Sequence, residues 1–286
     1  MKRILTAAVL IPIVLVLVFL GARWRWLFTL VVAGVAALAG LEYLGLTRKC
    51  GANPPRIAVV VSLLALFAVY SQLPDLTPAV FTMLSSALLV YCTFFKPVDE
   101  ILPDSAAAVF CLVYTGLTLL ALPSLLEQAN GPSLVVFLLC IIWAGDIAAF
   151  YVGRTFGKHK LAPAISPAKS WEGALASIAG SLAAAGVLLW LGTVLQRSDF
   201  VAPVLQRWDI SPLSYSDETW YWLLLAALVN VAGQVGDLAE SALKRSANVK
   251  DSGSLVPGHG GVLDRIDALL VAAPVMWYAQ VLHQRF

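Results

Sequence analysis

The stretch "ILTAAVLIPIVLVLVFLGA", residues 4 to 22, runs for 19 positions without a charge. A helix of that length rises about 1.5 Å per residue and so covers the roughly 30 Å hydrocarbon core of a bilayer. Met1-Lys2-Arg3 precede it, as the basic start of a secretory signal would. The apolar run exceeds the about 7–15 residues of a signal core, and no small-x-small pattern stands before Arg23. It reads as an uncleaved membrane span. Composition agrees: 13% of the 286 residues are charged and 60% hydrophobic, with a mean hydropathy of +0.84. A soluble domain carries roughly 25% charged residues.

Working outward from that run, eight more spans follow at about 26–46, 57–73, 77–95, 106–126, 133–153, 173–195, 220–240 and 262–282. The third and fourth meet in a tight hairpin around Ser71 to Thr77. The expected fold is an all-α polytopic membrane bundle, because backbone polar groups inside lipid need partners within the chain. On the seventh span Gly173, Ser177, Gly180 and Ala184 share one face, a pattern that predicts close helix packing. The longest polar excursion, Gln196 to Thr219, is too short for an independent domain, so residues 1–286 form one integral membrane domain. Placing the N-terminus in the cytoplasm puts 14 Lys and Arg inside and leaves five outside, namely Arg23, Arg25, Arg197, Arg207 and Arg285. The excess of inside basic residues predicts that orientation.

Polar residues then concentrate in two cytoplasmic regions. One is "KRSANVKDSGSLVPGHGGVLDRID", residues 244 to 267, and the other runs from Gly145 to Gly173. Acids lie inside the apolar boundaries next to both: Asp146 on the sixth span, Asp237 and Glu240 on the eighth, Asp264 and Asp267 on the ninth. An intramembrane charge costs about 2.5–3.5 kcal/mol on insertion scales, so these acids should face a polar cavity or a partner. Asp264 and Asp267 are three apart on one helix face, and Gln234, Asp237, Ser241 and Lys244 line another. Carboxylates without a supporting Cys or His set favour a hard cation such as Mg²⁺, one ion or two. Asp237, Asp264 and Asp267 are the expected metal ligands, with Asp146 as a fourth candidate. Cys50, Cys92, Cys111 and Cys140 are scattered and form no CxxC pair, so zinc is not expected.

Lys169, Lys244, Arg245, Lys250 and Arg265 stand beside these acids, and Gly258-His259-Gly260-Gly261 runs into a helix start. Bases and helix-start amides bind phosphate, while acids bind the metal that bridges it.

These residues carry a resemblance. Ser241 and Lys244-Arg245, then Lys250-Asp251, then Pro257-Gly-His-Gly-Gly-Val-Leu-Asp264-Arg265-Ile-Asp267 closely resembles the signature of the phosphatidate cytidylyltransferases, also called CDP-diacylglycerol synthases. A second block agrees: Asp146, Gly153, Gly157, Ser166-Pro167, Lys169-Ser170 and Glu172-Gly173. The resemblance covers the second half in detail and the first half only in general character. Val256 and Phe150 depart from the residues usual there, Leu or Ile and Tyr respectively. It implies attack of phosphatidate on the α-phosphorus of CTP, giving CDP-diacylglycerol and pyrophosphate. Asp237, Asp264, Asp267, Lys244 and Lys250 would then be catalytic. Lys169, Ser170, Arg245, His259, Gly260, Gly261 and Arg265 would contact substrate, with Arg265 alternatively pairing with the acids. Residues 131–286 would hold the chemistry, and the spans in 1–130 would scaffold it, admit lipid or make a homodimer contact. The expected partners are CTP, phosphatidate and membrane lipid, in a bacterial cytoplasmic membrane with the site facing the cytoplasm.

Plainer roles stand beside these. Ser170 also suits the N-cap of the seventh span, and Arg245 suits a headgroup anchor. Trp220, Tyr221 and Trp222 suit an interfacial belt, and His283 suits an incidental place near the tail. A net charge of +2, with basic residues confined to membrane flanks, gives no case for nucleic-acid binding. Among other functions, a CTP-dependent lipid-alcohol kinase would release CDP, and a transporter would place its charges nearer the bilayer midplane.

Overall fold

A computed structural model of the chain describes residues 2–207, 211–213, 218–253 and 260–285, without the side chains of residues 2–10 and Gln206. Its helices are α1 (Lys2–Arg23), α2 (Arg25–Lys49), α3 (Arg56–Gln72), α4 (Thr77–Phe95), α5 (Val98–Cys111), α6 (Thr118–Leu126), α7 (Gly131–Phe156), α8 (Trp171–Arg197), the short α9 (Ala202–Arg207), α10 (Thr219–Ser246) and α11 (Leu263–His283). A π-helical turn at Leu112–Leu117 joins α5 to α6, so Val98–Leu126 is one continuous span. Among the described residues seven helices are long and apolar enough to cross a bilayer, and two shorter apolar helices, Ile11–Arg23 and Arg56–Gln72, complete the set. These correspond one to one with the nine runs read from the sequence.

Large apolar side chains stand outward on most of these helices, including Ile57, Phe94, Leu175, Trp190 and Val235. In water such a surface would drive association; in a bilayer it is the lipid-facing wall. Inside, Leu63 and Leu66 of α3, Leu112 and Leu119, Phe137, Leu138 and Ile141 of α7, and Leu189 and Leu225 are buried in one continuous apolar core. Gly116 brings the π turn against Leu63 and Leu66, and a Cβ there would lie 2.9 Å from Leu63.

α7 and α8 form the closest helix pair, as the small-residue stripe predicts. A Cβ on Gly180 would stand 2.6 Å from the Ala148 Cβ and 2.9 Å from the Ala144 carbonyl oxygen. Two departures from expectation bear on the site. The segment between α7 and α8 is no simple loop: β1 (Lys160–Ala162) and β2 (Ser166–Ser170) pair antiparallel, with Lys160 opposite Ser170 and Ala162 opposite Ser166. Trp222 also leaves the interfacial belt, since it is buried and packs edge-on against Phe137 at 5.6 Å. Trp220 remains exposed, and His283 stacks on Tyr221 at 3.9 Å and pairs with Glu218, so it has a packing role.

Candidate active site

Ser170 ends β2 and begins α8. It is extended at φ −131 and accepts a hydrogen bond from the Gly173 amide at 3.2 Å, an N-cap that satisfies one of the helix's free N–H groups. Glu172 in the first turn folds back to His159, whose backbone amide and Nδ1 lie 3.2 and 2.6 Å away. The hairpin is thereby pinned to the start of α8, and its last strand carries Lys169 toward α10.

A cavity of about 520 Å³ opens there. Asp146, Phe150, Gly153 and Arg154 of α7 form one wall, Lys169 and Ser170 a second, and Gln234 and Asp237 of α10 a third. The Lys169 Nζ lies 2.6 Å from Asp237 Oδ2, and Ser241 approaches Asp237 Oδ1 at 3.4 Å. Below the cavity a polar seam runs into the bundle. Gln234 donates to Asn230 Oδ1 at 2.7 Å, Asn230 donates to Ser177 and Ser181 at 2.8 Å each, and Ser181 donates to the Ile141 carbonyl oxygen. These buried polar groups are mutually satisfied, which keeps the α7–α8–α10 junction in one arrangement. Gly145 makes room for it, since a Cβ there would collide with the Asn230 amide nitrogen.

The predicted acids divide into two groups. Asp146 and Asp237 face the cavity, and Asp267 on α11 interacts electrostatically with both. Asp264 sits apart, turned into the turn that precedes α11. Its Oδ1 meets Lys244 at 2.6 Å, and its Oδ2 accepts from the Ser252 amide at 3.0 Å, the Ser252 hydroxyl at 2.9 Å and the Gly261 amide at 2.8 Å. Lys244 also pairs with Glu240, which is fully buried. Arg245 donates to the carbonyl oxygens of Ile165 and Val249, so it ties the hairpin's turn to the end of α10. Lys250 and Arg265 are exposed. Gly260 adopts φ +81, a left-handed conformation that favours glycine. His259 lies outside the described residues, as do Val256, Pro257 and Gly258.

The start of α11 needs a correction. Its amides looked available to an anion, yet they are occupied by carboxylates of the chain itself: Gly261 by Asp264, and Val262 and Leu263 by Glu42. Glu42 of α2 is the residue that sequence reasoning missed. It is 7% exposed inside an apolar span, and that position alone marks it as an acid needing a partner. Arg154, Phe150 and Gln234 are further cavity residues not foreseen as such; Phe150 is one of the two departures from the usual pattern.

The family profile for the cytidylyltransferase family matches residues 1–283. The chain belongs to the cytidylyltransferase family. Family membership thus extends over the first half, where sequence motifs were few. The phosphatidate cytidylyltransferase of Pseudomonas aeruginosa is 35% identical over 96% of this chain and 94% of its own length. That of Bacillus subtilis is 32% identical over 97% of this chain and 96% of its own length. The Brucella suis phosphatidate cytidylyltransferase is 40% identical over 58% of this chain and 54% of its own.

Chemically, the cavity offers carboxylate and cation on facing walls. Among the described residues no three Asp, Glu, His or Cys side chains converge into a ready-made metal cage. Mg²⁺ does not need one, because it is commonly held by one or two carboxylates together with water and substrate phosphates. Asp146 and Asp237, two oxygen donors on one cavity, fit that mode.

Proposed function

We propose that this chain transfers the cytidylyl group of CTP to phosphatidate, forming CDP-diacylglycerol and pyrophosphate in phospholipid biosynthesis. The observation that carries the reading is its near full-length similarity to the phosphatidate cytidylyltransferases of Pseudomonas and Bacillus, combined with a Lys169–Asp237 pair on an open cavity at the helix ends. The nucleophile is a phosphate oxygen of phosphatidate, already ionised near neutral pH, so the reaction needs no serine or cysteine nucleophile. That oxygen forms a bond to the α-phosphorus of CTP, and the bond from this phosphorus to the bridging oxygen of the β-phosphate breaks. The electron pair leaves with pyrophosphate.

Two polyanions must meet in line, so the chain's task is positioning and charge compensation. Lys169, with Arg154 across the cavity, contacts the phosphates, and Ser170 holds the strand that presents Lys169. Lys250, Arg245 and Arg265 would meet the nucleotide end, while Lys244 and Asp264 brace the Gly260-Gly261 turn before α11. Asp146 and Asp237, backed by Asp267, would hold Mg²⁺, which supplies charge neutralisation at the phosphate oxygens. The cavity lies at one set of helix ends, where a water-soluble nucleotide meets a lipid of the leaflet. The excess of basic residues on that side favours the cytoplasmic face of a bacterial inner membrane.

The test uses purified protein in detergent with CTP, phosphatidate and Mg²⁺. Pyrophosphate release should require phosphatidate, stop on chelation and fall at least a hundredfold in Asp237→Asn. Release of CDP with a lipid alcohol, and no turnover of phosphatidate, would contradict the reading.

A further inference from the structure

Glu42 and the glycines around it carry information that the reaction chemistry does not use. Glu42 lies in α2, on the part of the chain with no signature residues. Its Oε1 accepts from the Val262 amide at 2.9 Å, and its Oε2 accepts from the Leu263 amide at 2.8 Å and lies 2.9 Å from the Ser252 hydroxyl. Val262 is the N-cap of α11 and Leu263 its first residue, and Val262 supplies no side-chain cap of its own. A carboxylate from another helix therefore caps α11, meeting both its unpaired amides and the positive end of its dipole. The Ser252 hydroxyl stands 2.9 Å from Glu42 and 2.9 Å from Asp264, and its one proton serves one of them at a time.

Space around Glu42 is as specific as its bonding. A Cβ on Gly253 would lie 2.8 Å from the Glu42 Cδ, and one on Gly261 would collide with Glu42 Oε2 and with the Ser252 hydroxyl. Gly253 and Gly261 leave the room that a carboxylate from α2 needs to pass between them. The bonds reach 210 to 221 positions along the chain and join Ser252 to the start of α11 through one side chain.

We propose that Glu42 is a positioning residue: it holds Ser252 and the start of α11 in the arrangement that cytidylyl transfer requires. The proposal rests on the proposed function for what that arrangement serves. Glu42 touches neither Lys169 nor Asp237 and does not line their cavity. Its loss should therefore act on turnover more than on nucleotide binding.

Full-length protein in detergent, wild type against Glu42→Gln, decides the matter by two readouts. The first is hydrogen exchange: amides at 261–264 should exchange at least tenfold faster in the variant, with α7 and α8 unchanged. The second is steady-state kinetics with CTP and phosphatidate: kcat should fall at least tenfold while KM for CTP stays within threefold. Unchanged exchange at 261–264, or faster exchange with wild-type kcat, would overturn the proposal. A general loosening of the fold would instead speed exchange throughout and disturb KM as well, which also counts against it. If Glu42→Gln does not fold, Ser252→Ala carries the test, because it deletes only the hydroxyl bridge. Turnover reduced threefold or more with faster exchange at 261–264 supports the proposal, and wild-type values for both sink it. Wild-type protein that turns over no phosphatidate defeats the proposed function, and the exchange comparison still decides whether Glu42 holds the start of α11.

Discussion

Lys169 reaches the cavity because β2 delivers it there, and its ammonium then meets Asp237 at 2.6 Å. Replacing it by Met keeps the length of the side chain and deletes the charge. Removing one such electrostatic contact from a transition state commonly costs about 10²–10³ in kcat, and that is the loss expected for Lys169→Met in CDP-diacylglycerol formation. A rate within threefold of wild type, from protein that elutes and melts normally, would remove Lys169 from the machinery. Asp146, Asp237 and Lys169 were legible in the sequence because charge beside an apolar run is rare and needs an explanation. Glu42 carries the same signal, an acid inside a span, but nothing near it in the chain hints at a partner. The partners of Glu42 lie beyond residue 250, and buried Asp104 is held by Lys96 at 2.7 Å and by the Asn53 amide at 2.6 Å. Long-range pairing is invisible to local spacing.

Helices were the legible elements. An apolar run's length is a property of the chain alone, and it located all nine spans to within a few residues, apart from the end of the eighth, where α10 runs on to Ser246, and the start of the fifth. That span begins at Val98 instead of 106, since Asp99 and Glu100 sit in its first turn and Asp104 is paired inside the bundle. The hairpin was not legible. Strands of three and five residues, with Pro163 in the turn and Pro167 in β2, show no alternation of polar and apolar positions. The α7–α8 contact gives a direct prediction. Gly180→Leu must push Ala148 and the Ala144 carbonyl aside, an overpacking that costs about 1–3 kcal/mol. Its melting temperature in detergent should fall by several degrees relative to Gly34→Leu, where no atom lies within 4 Å of the added Cβ. Equal melting temperatures would mean that α7 and α8 are not packed through this face.

At the scale of the whole molecule the two halves are interlocked: α2 caps α11, and α11 packs along α6. Cys50 at the end of α2 approaches Ser246 at the end of α10, so these ends share one side of the membrane with the cavity. Cys50 is also exposed, whereas Cys92 and Cys111 are buried. An impermeant maleimide should therefore label Cys50 in inverted membrane vesicles and not in intact cells. Labelling from outside intact cells would reverse the orientation. The claim on which the account depends is the fate of the α-phosphate of CTP, and it can be followed with CTP labelled at either the α- or the γ-phosphorus. With purified protein, Mg²⁺ and phosphatidate, the α-label should pass into the lipid fraction and the γ-label should remain in water as pyrophosphate. A γ-label found in lipid, with the α-label left in water as CDP, would contradict cytidylyl transfer and identify a kinase instead.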